Sequence, residues 1–425
     1  MKDIAEKSLF DIPGSWKTLL WILVLLGIGM FIAGLMTGGE ESVVRTWQAF
    51  LINTVFWGGI AHAGVLFAVI WQLTDAKWGR AFKRLAEACA GFLPISFLMF
   101  MVVFFGSHVL YEWTHTPFLH HGEAVKQGWL NLPFFISRNV FWLLLIYGIS
   151  YWFIKTSIKP DIALARRLIG SDWGGKFADW VLEDYGEHET EVIRLEKLSR
   201  KIAPVLAFVY SIGGSFLAWD FVMTLDQTWF STLFGVFVMI GNMHAFLGLM
   251  LVVAVTVRQK FGIEEYISIN RLHDLAKMTF AFSLLWTYMG YSQYIVIWYA
   301  DLPEETPYLI IRSMNAPWNT LFLVIILWVF VSVFLGLLPR TLCRMPNYIR
   351  LMGIWVMLGQ LLSVYIMVVP SLQHDGHYHI FMGMHELLIT LGFVGAFFLC
   401  YLAFLGKLPI LPISDKHLCR TWHGH

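Results

Sequence analysis

Two histidines stand deep inside long apolar stretches of this sequence, where side chains that carry protons are rare. His62 and His244 each lie about 20 Å from the more basic end of their stretch, taking ~1.5 Å per helical residue. An imidazole accepts and donates protons near neutral pH, so a histidine at this depth is suited to a proton relay. A histidine that only forms hydrogen bonds across a helix bundle would show the same pattern, and both interpretations stay open.

Acidic residues form a second set of candidates near the opposite ends of the stretches. Asp220 lies in SFLAWDFVMTLD, and a carboxylate without a partner at that depth would resist ionisation because desolvation disfavours its charge. Asp226 is instead interpreted as the cap of the next helix. His385 and Glu386 occupy a depth similar to that of Asp220 in the last apolar stretch. All of these except Asp226 are candidates for proton transfer.

Glu87 and Asp274 lie close to the basic ends of their stretches, each three residues after an arginine. A surface salt bridge of the i,i+3 kind explains both positions. Asp274 has a second candidate partner in Lys277, the one basic residue assigned to neither side of the stretches, and a buried lysine requires a counterion. We therefore expect the Asp274–Lys277 pair, beside His273, to be the better candidate for proton uptake.

A metal or haem site in this chain is not expected. The four cysteines form no CxxC or CxxCH motif, which argues against an iron–sulfur cluster, structural zinc or covalently attached haem. Four histidines near the end of the chain raise the possibility of a metal, but their spacing matches no familiar ligand pattern. These are His374, His377, His379 and His385.

The candidate residues must be positioned by membrane-spanning helices, since 58% of the residues are hydrophobic and only 14% are charged. A spanning helix needs roughly 20 mostly apolar residues. Ten stretches qualify, and the segment 156–201 between the fourth and fifth is expected to form a charged surface excursion. The stretches lie near 18–36, 47–72, 81–110, 133–155, 202–225, 230–257, 272–299, 317–338, 348–369 and 381–406.

Basic residues are distributed very unevenly between the two sides of these stretches. Of the 30 lysines and arginines, 25 fall on the side that holds both termini, and four, Arg45, Lys126, Arg138 and Arg312, fall on the other. Cytoplasmic loops collect basic residues. The sequence therefore predicts a multi-pass protein of a bacterial inner membrane with cytoplasmic N- and C-termini. The near balance with 29 acidic residues leaves no case for binding nucleic acid.

An internal repeat organises the predicted helices. The second and sixth stretches align at an offset of 182, which places His62 on His244, and the next pair aligns at 187, which places Glu87 on Asp274. The matched helices are four apart and share one orientation, as in parallel repeats. We expect one all-α membrane domain over 1–425, with four-helix bundles at 47–225 (helices 2–5) and 230–369 (helices 6–9) and peripheral helices 1 and 10.

Two strings in the second half resemble a known family. LAWDFVMTLDQTWFSTLFG and RLHDLAKMTFAFSLLWTYMGYSQYIVIWYADLPEETPY are similar to the ActF group of NrfD-like membrane subunits of alternative complex III, a quinol:cytochrome c oxidoreductase. The length and the ten predicted spans agree with that family over essentially the whole chain. The resemblance implies a subunit of a respiratory complex that oxidises quinol and does not catalyse alone.

The resemblance also implies partners and cofactors. Iron–sulfur clusters and haem c would belong to other subunits, which fits the missing motifs here, and quinol would be the substrate of the complex. The implied partners are an ActC-like NrfD paralogue, an iron–sulfur subunit, multihaem and monohaem cytochrome c subunits, and a terminal oxidase as acceptor. A proton-relay role is carried over to Asp220, His244, Asp274 and Lys277, and with less support to His62 and Glu87.

Three other functions remain open from the sequence. The chain could bind quinol itself, near Asp220 or His385. It could be a stand-alone secondary transporter, although Pro94 and Pro204 do not occupy matching repeat positions as broken transporter helices would. It could also be a di-haem b-type cytochrome that uses His62 and His244 as ligands.

Overall fold

The protein is a helical membrane protein. A computed structural model describes Lys2, Glu6 and residues 10–37, 39–116, 119, 120, 123, 124, 126–303, 305–373 and 379–415. Within these residues, nine helices are long and apolar enough to cross a membrane. Helices account for nearly all of the regular structure, since the described strands are the two-residue pair Leu119–His120 and Glu123–Ala124. The prediction of an all-α, multi-pass protein is confirmed.

The long helices are numbered here in chain order. They are α1 (Gly14–Met36), α2 (Glu40–Thr74), α3 (Arg80–Phe105), α4 (Leu132–Ile169), α5 (His188–Leu225), α6 (Phe234–Phe261), α7 (Ile269–Ala300), α8 (Trp318–Leu337), α9 (Pro346–Leu372) and α10 (Met384–Leu405). Short helical segments connect them at Ser107–Leu110, Glu112–Thr114, Gly175–Val181, Thr306–Ser313 and Leu342–Arg344. We call the side with the connections near 75–79, 262–268 and 406–415 the basic face, and the other side the opposite face.

Helix α7 is the predicted span that does not belong to the nine. It forms a helix of 32 residues, slightly longer than the predicted 272–299. Tyrosine, serine and glutamine residues dilute its apolar content, and Tyr288, Tyr291 and Tyr299 are exposed on its surface. Length and composition therefore single out nine helices among the described residues, and α7 stands apart as a long helix with an aromatic, partly polar surface.

The charged segment 156–201 is mostly helical, and part of it is not on the surface. Helix α4 continues to Ile169 and α5 begins at His188, so both extend beyond the predicted spans. Ser157 and Asp161 are buried, which corrects the prediction of a surface excursion for this first part. The reason is tertiary: charged groups of α3 and the segment after α10 pack against it.

The core lies along α2 and α6, whose side chains are the most completely buried. Helix α2 packs against α3, α5, α6 and α10, and α6 packs against α5, α7 and α9. Further contacts join α3 to α4, α4 to α5, α7 to α8 and α8 to α9. Gly59 of α2 lies against the Asn242 side chain of α6, so a larger residue at Gly59 would collide with it. The two repeat-related helices thus meet directly at the centre of the molecule.

Helices α1 and α10 form a pair at the edge of this core. Gly27 and Gly392 face each other so closely that a Cβ atom on Gly27 would lie 2.5 Å from the Cα atom of Gly392. Small residues at such crossings let helix backbones approach, which is a common way to join helices in membranes. Much of the remaining surface of α1, including Trp21 and Ile28, is exposed.

Candidate functional site

A buried ion pair joins α4 and α5 near the opposite face. The Arg138 guanidinium donates from Nε to Asp220 Oδ2 (2.6 Å) and from Nη2 to Oδ1 (2.7 Å), and Asn139 donates to the same carboxylate at 2.8 Å. The Trp129 ring covers Arg138, with 4.2 Å from Cζ to the ring centroid. The sequence-based idea of an unpaired Asp220 is therefore wrong, although its burial was predicted.

Tyr111 lies beside this pair, in the connection after α3. Its hydroxyl donates to the backbone carbonyl of Phe221 at 3.1 Å, one residue after Asp220. Burial raises the pKa of Tyr111 well above its ordinary value, and the nearby Asp220 charge adds to the effect. Tyr111 is therefore a neutral hydrogen-bond donor at this site.

A second buried cluster lies near the basic face, between α3 and α4. Arg84 donates to Asp161 at 2.7 Å and also contacts Glu87, and all three side chains are at most 2% exposed. Ser157 donates to Glu87 at 2.6 Å. Ser414, in the segment after α10, donates its backbone N–H to Asp161 at 2.8 Å and contacts it again through its hydroxyl. One buried arginine is thus the shared ion-pair partner of two buried carboxylates.

The environment of Glu87 differs from the surface salt bridge that its spacing predicted. The Arg84–Glu87 pair is formed within α3, but a second helix, α4, adds Asp161, and the pair is buried. A cavity of about 200 Å³ adjoins the cluster. Its wall includes Arg80, Lys83 and Glu196, and it gives this end of the protein a polar recess.

His62 lies between these two clusters in the interior. Its ring packs edge-on against Tyr147 and Tyr210, with centroid distances of 4.8 and 5.8 Å. The Nε2 atom is buried and has no hydrogen-bond partner among the described protein atoms. A cavity of about 40 Å³ lined by His62 and Asn242 adjoins it, and a water needs only ~10–15 Å³ of such space. His62 is thus positioned for hydrogen bonding to water.

His244, the repeat counterpart, has a different environment. It is fully buried, and its Nδ1 atom lies 2.8 Å from the Gln360 side-chain nitrogen of α9. That amide N–H can donate only to an unprotonated Nδ1, so the Nε2 atom of a neutral imidazole carries the hydrogen. The two histidines therefore share their position in the repeat but not their partners.

The Asp274–Lys277 pair forms, but not in the interior. Lys277 Nζ lies 3.0 Å from Asp274 Oδ1, and the two side chains are 61% and 42% exposed. Its repeat counterpart Glu87 is fully buried. The prediction of a buried lysine is therefore wrong, because the charged face of α7 points away from its neighbours. This location removes the structural reason for assigning proton uptake to the pair.

Neutralising this pair is expected to have little effect. The Asp274→Asn and Lys277→Gln double variant should keep proton translocation within about twofold of the parent, because the pair lies on the surface and not in the buried clusters. The variant should also stay folded, since exposed ion pairs contribute only ~0–1 kcal/mol to the free energy of unfolding. Proton uptake per electron in reconstituted vesicles checks this, with Glu196→Gln as an exposed control in α5. A loss of translocation with normal assembly would return the pair to the relay.

His385 and Glu386 begin α10 at the opposite face. His385 Nε2 lies 2.7 Å from the Thr46 hydroxyl, and Glu386 pairs with Arg45 at 2.7 Å. Glu386 also accepts from the backbone N–H of Gly383 at 2.8 Å, which caps the first turn of α10. These contacts attach α10 to α2, and they account for both residues structurally.

The metal hypothesis gains no support from the geometry. Within the residues that the structure describes, no group of three or more histidine, cysteine, aspartate or glutamate side chains could hold a metal ion. His374 and His377 lie outside the described residues. His379 is described, and its backbone N–H donates to Gln373.

Sequence reasoning missed the arginines and the aspartate that complete the site. Arg138 and Arg312 were counted on the opposite side of the predicted spans without a partner, but both are buried. Arg312 donates to the carbonyls of Ile366 and Met367 at 3.0 Å and so caps the end of α9. Asp161 was placed in the surface segment. A signal existed for Arg138, since it lies inside the predicted stretch 133–155, where a charged side chain is expected to need a partner.

No family model matches this chain, and no curated protein matches it either.

Proposed function

We propose that this chain is a membrane subunit of a respiratory quinol:cytochrome c or quinol:oxidase complex, carries no redox cofactor of its own, and conducts protons. In this proposal α7 also spans the membrane, which gives ten spans with α2–α5 and α6–α9 as two bundles. Both termini lie in the cytoplasm of a bacterium. The resemblance of the α5–α7 strings to NrfD-like subunits supports the choice of complex.

One observation carries the proton role: the first bundle holds ionisable clusters at both ends and a titratable ring between them. Helix α4 contributes to all three levels through Asp161, Tyr147 and Arg138, about 21 Å and 14 Å apart along the helix axis. Hydroxyl groups of Ser157 and Tyr151 lie between the first two levels on the same helix. Buried charges cost several kcal/mol, so such an arrangement in one bundle indicates a functional site.

The direction of proton movement follows from the proposed orientation. Glu87 and Asp161 would take up protons on the cytoplasmic side, next to the cavity of about 200 Å³. His62 would pass them through water in the interior cavity. Asp220 would accept them when Arg138 moves away, and would release them on the opposite side when Arg138 returns, because a nearby arginine favours the ionised carboxylate. Glu87 and His62 thus take the roles that the sequence had assigned to Asp274 and His244.

A b-type haem at His62 fits this geometry poorly. The cavity beside His62 has a volume of about 40 Å³, whereas cofactor pockets are typically ~300–1,000 Å³. The His62 ring is also enclosed by Tyr147 and Tyr210. In this proposal the redox centres belong to partner subunits, and an ActC-like paralogue is a further partner.

Purification from the native membrane tests the proposal. A tagged chain extracted in mild detergent should bring an iron–sulfur protein and c-type cytochromes with it. Addition of quinol should reduce the haem c in the preparation, which is seen as a change in its absorbance spectrum. The control is an unrelated multi-pass membrane protein that is tagged in the same strain and purified in the same way. Recovery of this chain alone, or with companions that lack haem and clusters, would overturn the respiratory assignment.

A further inference from the structure

A long groove on the surface of the molecule belongs to neither proton cluster. It has a volume of about 1030 Å³ and runs between α1, α10 and the side of α3. Trp21, Ile28 and Phe31 of α1 form one wall, and Ile95 and Met99 of α3 contribute to the other. Apolar side chains dominate these walls, as they do in pockets for hydrophobic ligands.

The end of the groove at the basic face is different, because lysines surround it. Lys17 and Lys407 both line this end, and both are exposed. Lys260 approaches the same end, with Nζ 5.1 Å from the centroid of the Phe10 ring, which also lines the groove. Asp11 is the acidic residue at this end. Three positive charges against one negative charge leave the site complementary to an anion.

The dimensions of the groove fit a lipid that stands upright in one leaflet. From Lys17 to Phe31 the wall extends about 21 Å along α1. One leaflet contributes roughly 15 Å of hydrocarbon, half of the bilayer core. The groove is therefore long enough to hold a lipid of one leaflet, with its charged group at the lysines and its chains along the apolar walls.

We propose that this groove is a binding site for an anionic phospholipid of the leaflet at the basic face. The lipid phosphate contacts Lys17 and Lys407, and the acyl chains lie along α1, α3 and α10. Basic pockets between membrane helices recognise anionic headgroups in this way. The lipid would also fill the gap between α1 and α3, where α1 contacts the core mainly through α10.

Lipid retention after mild purification tests the proposal. The protein, with any subunits that stay attached, is stripped of lipid and offered phosphatidylglycerol or phosphatidylcholine, and bound lipid is counted by native mass spectrometry. We expect the parent to retain phosphatidylglycerol selectively. The Lys17→Gln and Lys407→Gln double variant should bind it roughly thirty-fold more weakly, since each basic residue near a membrane surface contributes ~1 kcal/mol.

Two further variants separate the groove from general surface charge. The Lys77→Gln and Lys176→Gln double variant removes two exposed lysines of the same face that do not line the groove, and it should bind like the parent. Ala403→Phe places a ring in the groove and should displace the lipid without lowering the thermal unfolding midpoint, because Ala403 is exposed. A photoactivatable phosphatidylglycerol should label peptides of α1 and α10 in the parent. This experiment does not depend on whether any variant folds.

Several results would overturn the proposal. Equal retention of the two lipids by the parent would show that charge is not recognised. Unchanged binding by the Lys17→Gln and Lys407→Gln variant would remove the lysines from the site. A quinone that co-purifies and is lost with Ala403→Phe, or a helix of a partner subunit seated in the groove, would assign the groove to another occupant.

Discussion

Replacing Glu87 with glutamine is expected to reduce proton translocation at least tenfold while the complex stays assembled. The fold should tolerate the change because Arg84 keeps its 2.7 Å contact with Asp161, and a glutamine oxygen can still accept from Ser157. What disappears is the group that binds and releases a proton. The number of protons moved per electron, measured in vesicles that contain the purified complex, checks this result.

The matched control for this experiment is Glu196→Gln. Glu196 lines the same cavity, but it is exposed and forms a surface pair with Arg200. It should translocate protons like the parent. If Glu87→Gln also pumps at the parent rate, the cluster is structural and the proton path proposed for the first bundle is wrong.

Removing Arg138 is expected to be among the most destabilising single changes in the protein. Arg138→Leu leaves Asp220 buried without its counter-charge, and breaking such pairs costs about 3–5 kcal/mol. The double variant Arg138→Leu with Asp220→Asn should recover most of this free energy, since no charge remains buried. Denaturant unfolding in detergent, analysed as a double-mutant cycle, measures the coupling.

Asp220→Asn alone completes this cycle and tests function as well. It leaves Arg138 with the Trp129 carbonyl at 2.6 Å and the Trp129 ring, so it should be less destabilising than Arg138→Leu. In the proposed path it removes the releasing group and lowers translocation. A cost below about 1 kcal/mol for Arg138→Leu would contradict the view that Asp220 is charged in the folded protein.

The sequence was sufficient to predict the helices because each one has to cross an apolar layer. Stretches of apolar residues mark nine of the helices directly, and their ends differ from the predictions mainly where α4 and α5 continue into the charged segment. Hydropathy cannot predict those ends, because it detects residues suited to the apolar layer and not the residues by which a helix continues outside it. Helix propensity and contacts with α3 carry α4 onward to Ile169.

The partners of the candidate residues were harder to predict, for a physical reason. A helix without a distinct apolar stripe gives no signal of which face is buried, so Lys277 on α7 could not be distinguished from an interior lysine. Arg138 and Asp220 are 82 positions apart, and Arg84 and Asp161 are 77 apart. Local spacing detects pairs such as Arg84 and Glu87, but it contains no information on contacts between distant helices.

The internal repeat also shows that side-chain partners are hard to predict from sequence. It predicts that His62 and His244 occupy related positions, and both side chains are buried. Their neighbours differ because α4 and α5 place tyrosines around one, while α9 places Gln360 beside the other. A match in sequence position therefore does not determine which side chains surround a residue.

The contact between Ser414 and Asp161 has a consequence for biogenesis. The carboxylate of Asp161 emerges from the ribosome long before Ser414, because six further long helices, α5 to α10, are synthesised in between. Until the segment after α10 folds back, Asp161 lacks its two contacts with Ser414 and keeps only its contact with Arg84. The last contacts of this cluster therefore form only when synthesis is complete. A chain that ended before Ser414 would leave the Asp161 carboxylate more accessible, and we expect membrane proteases to degrade it faster.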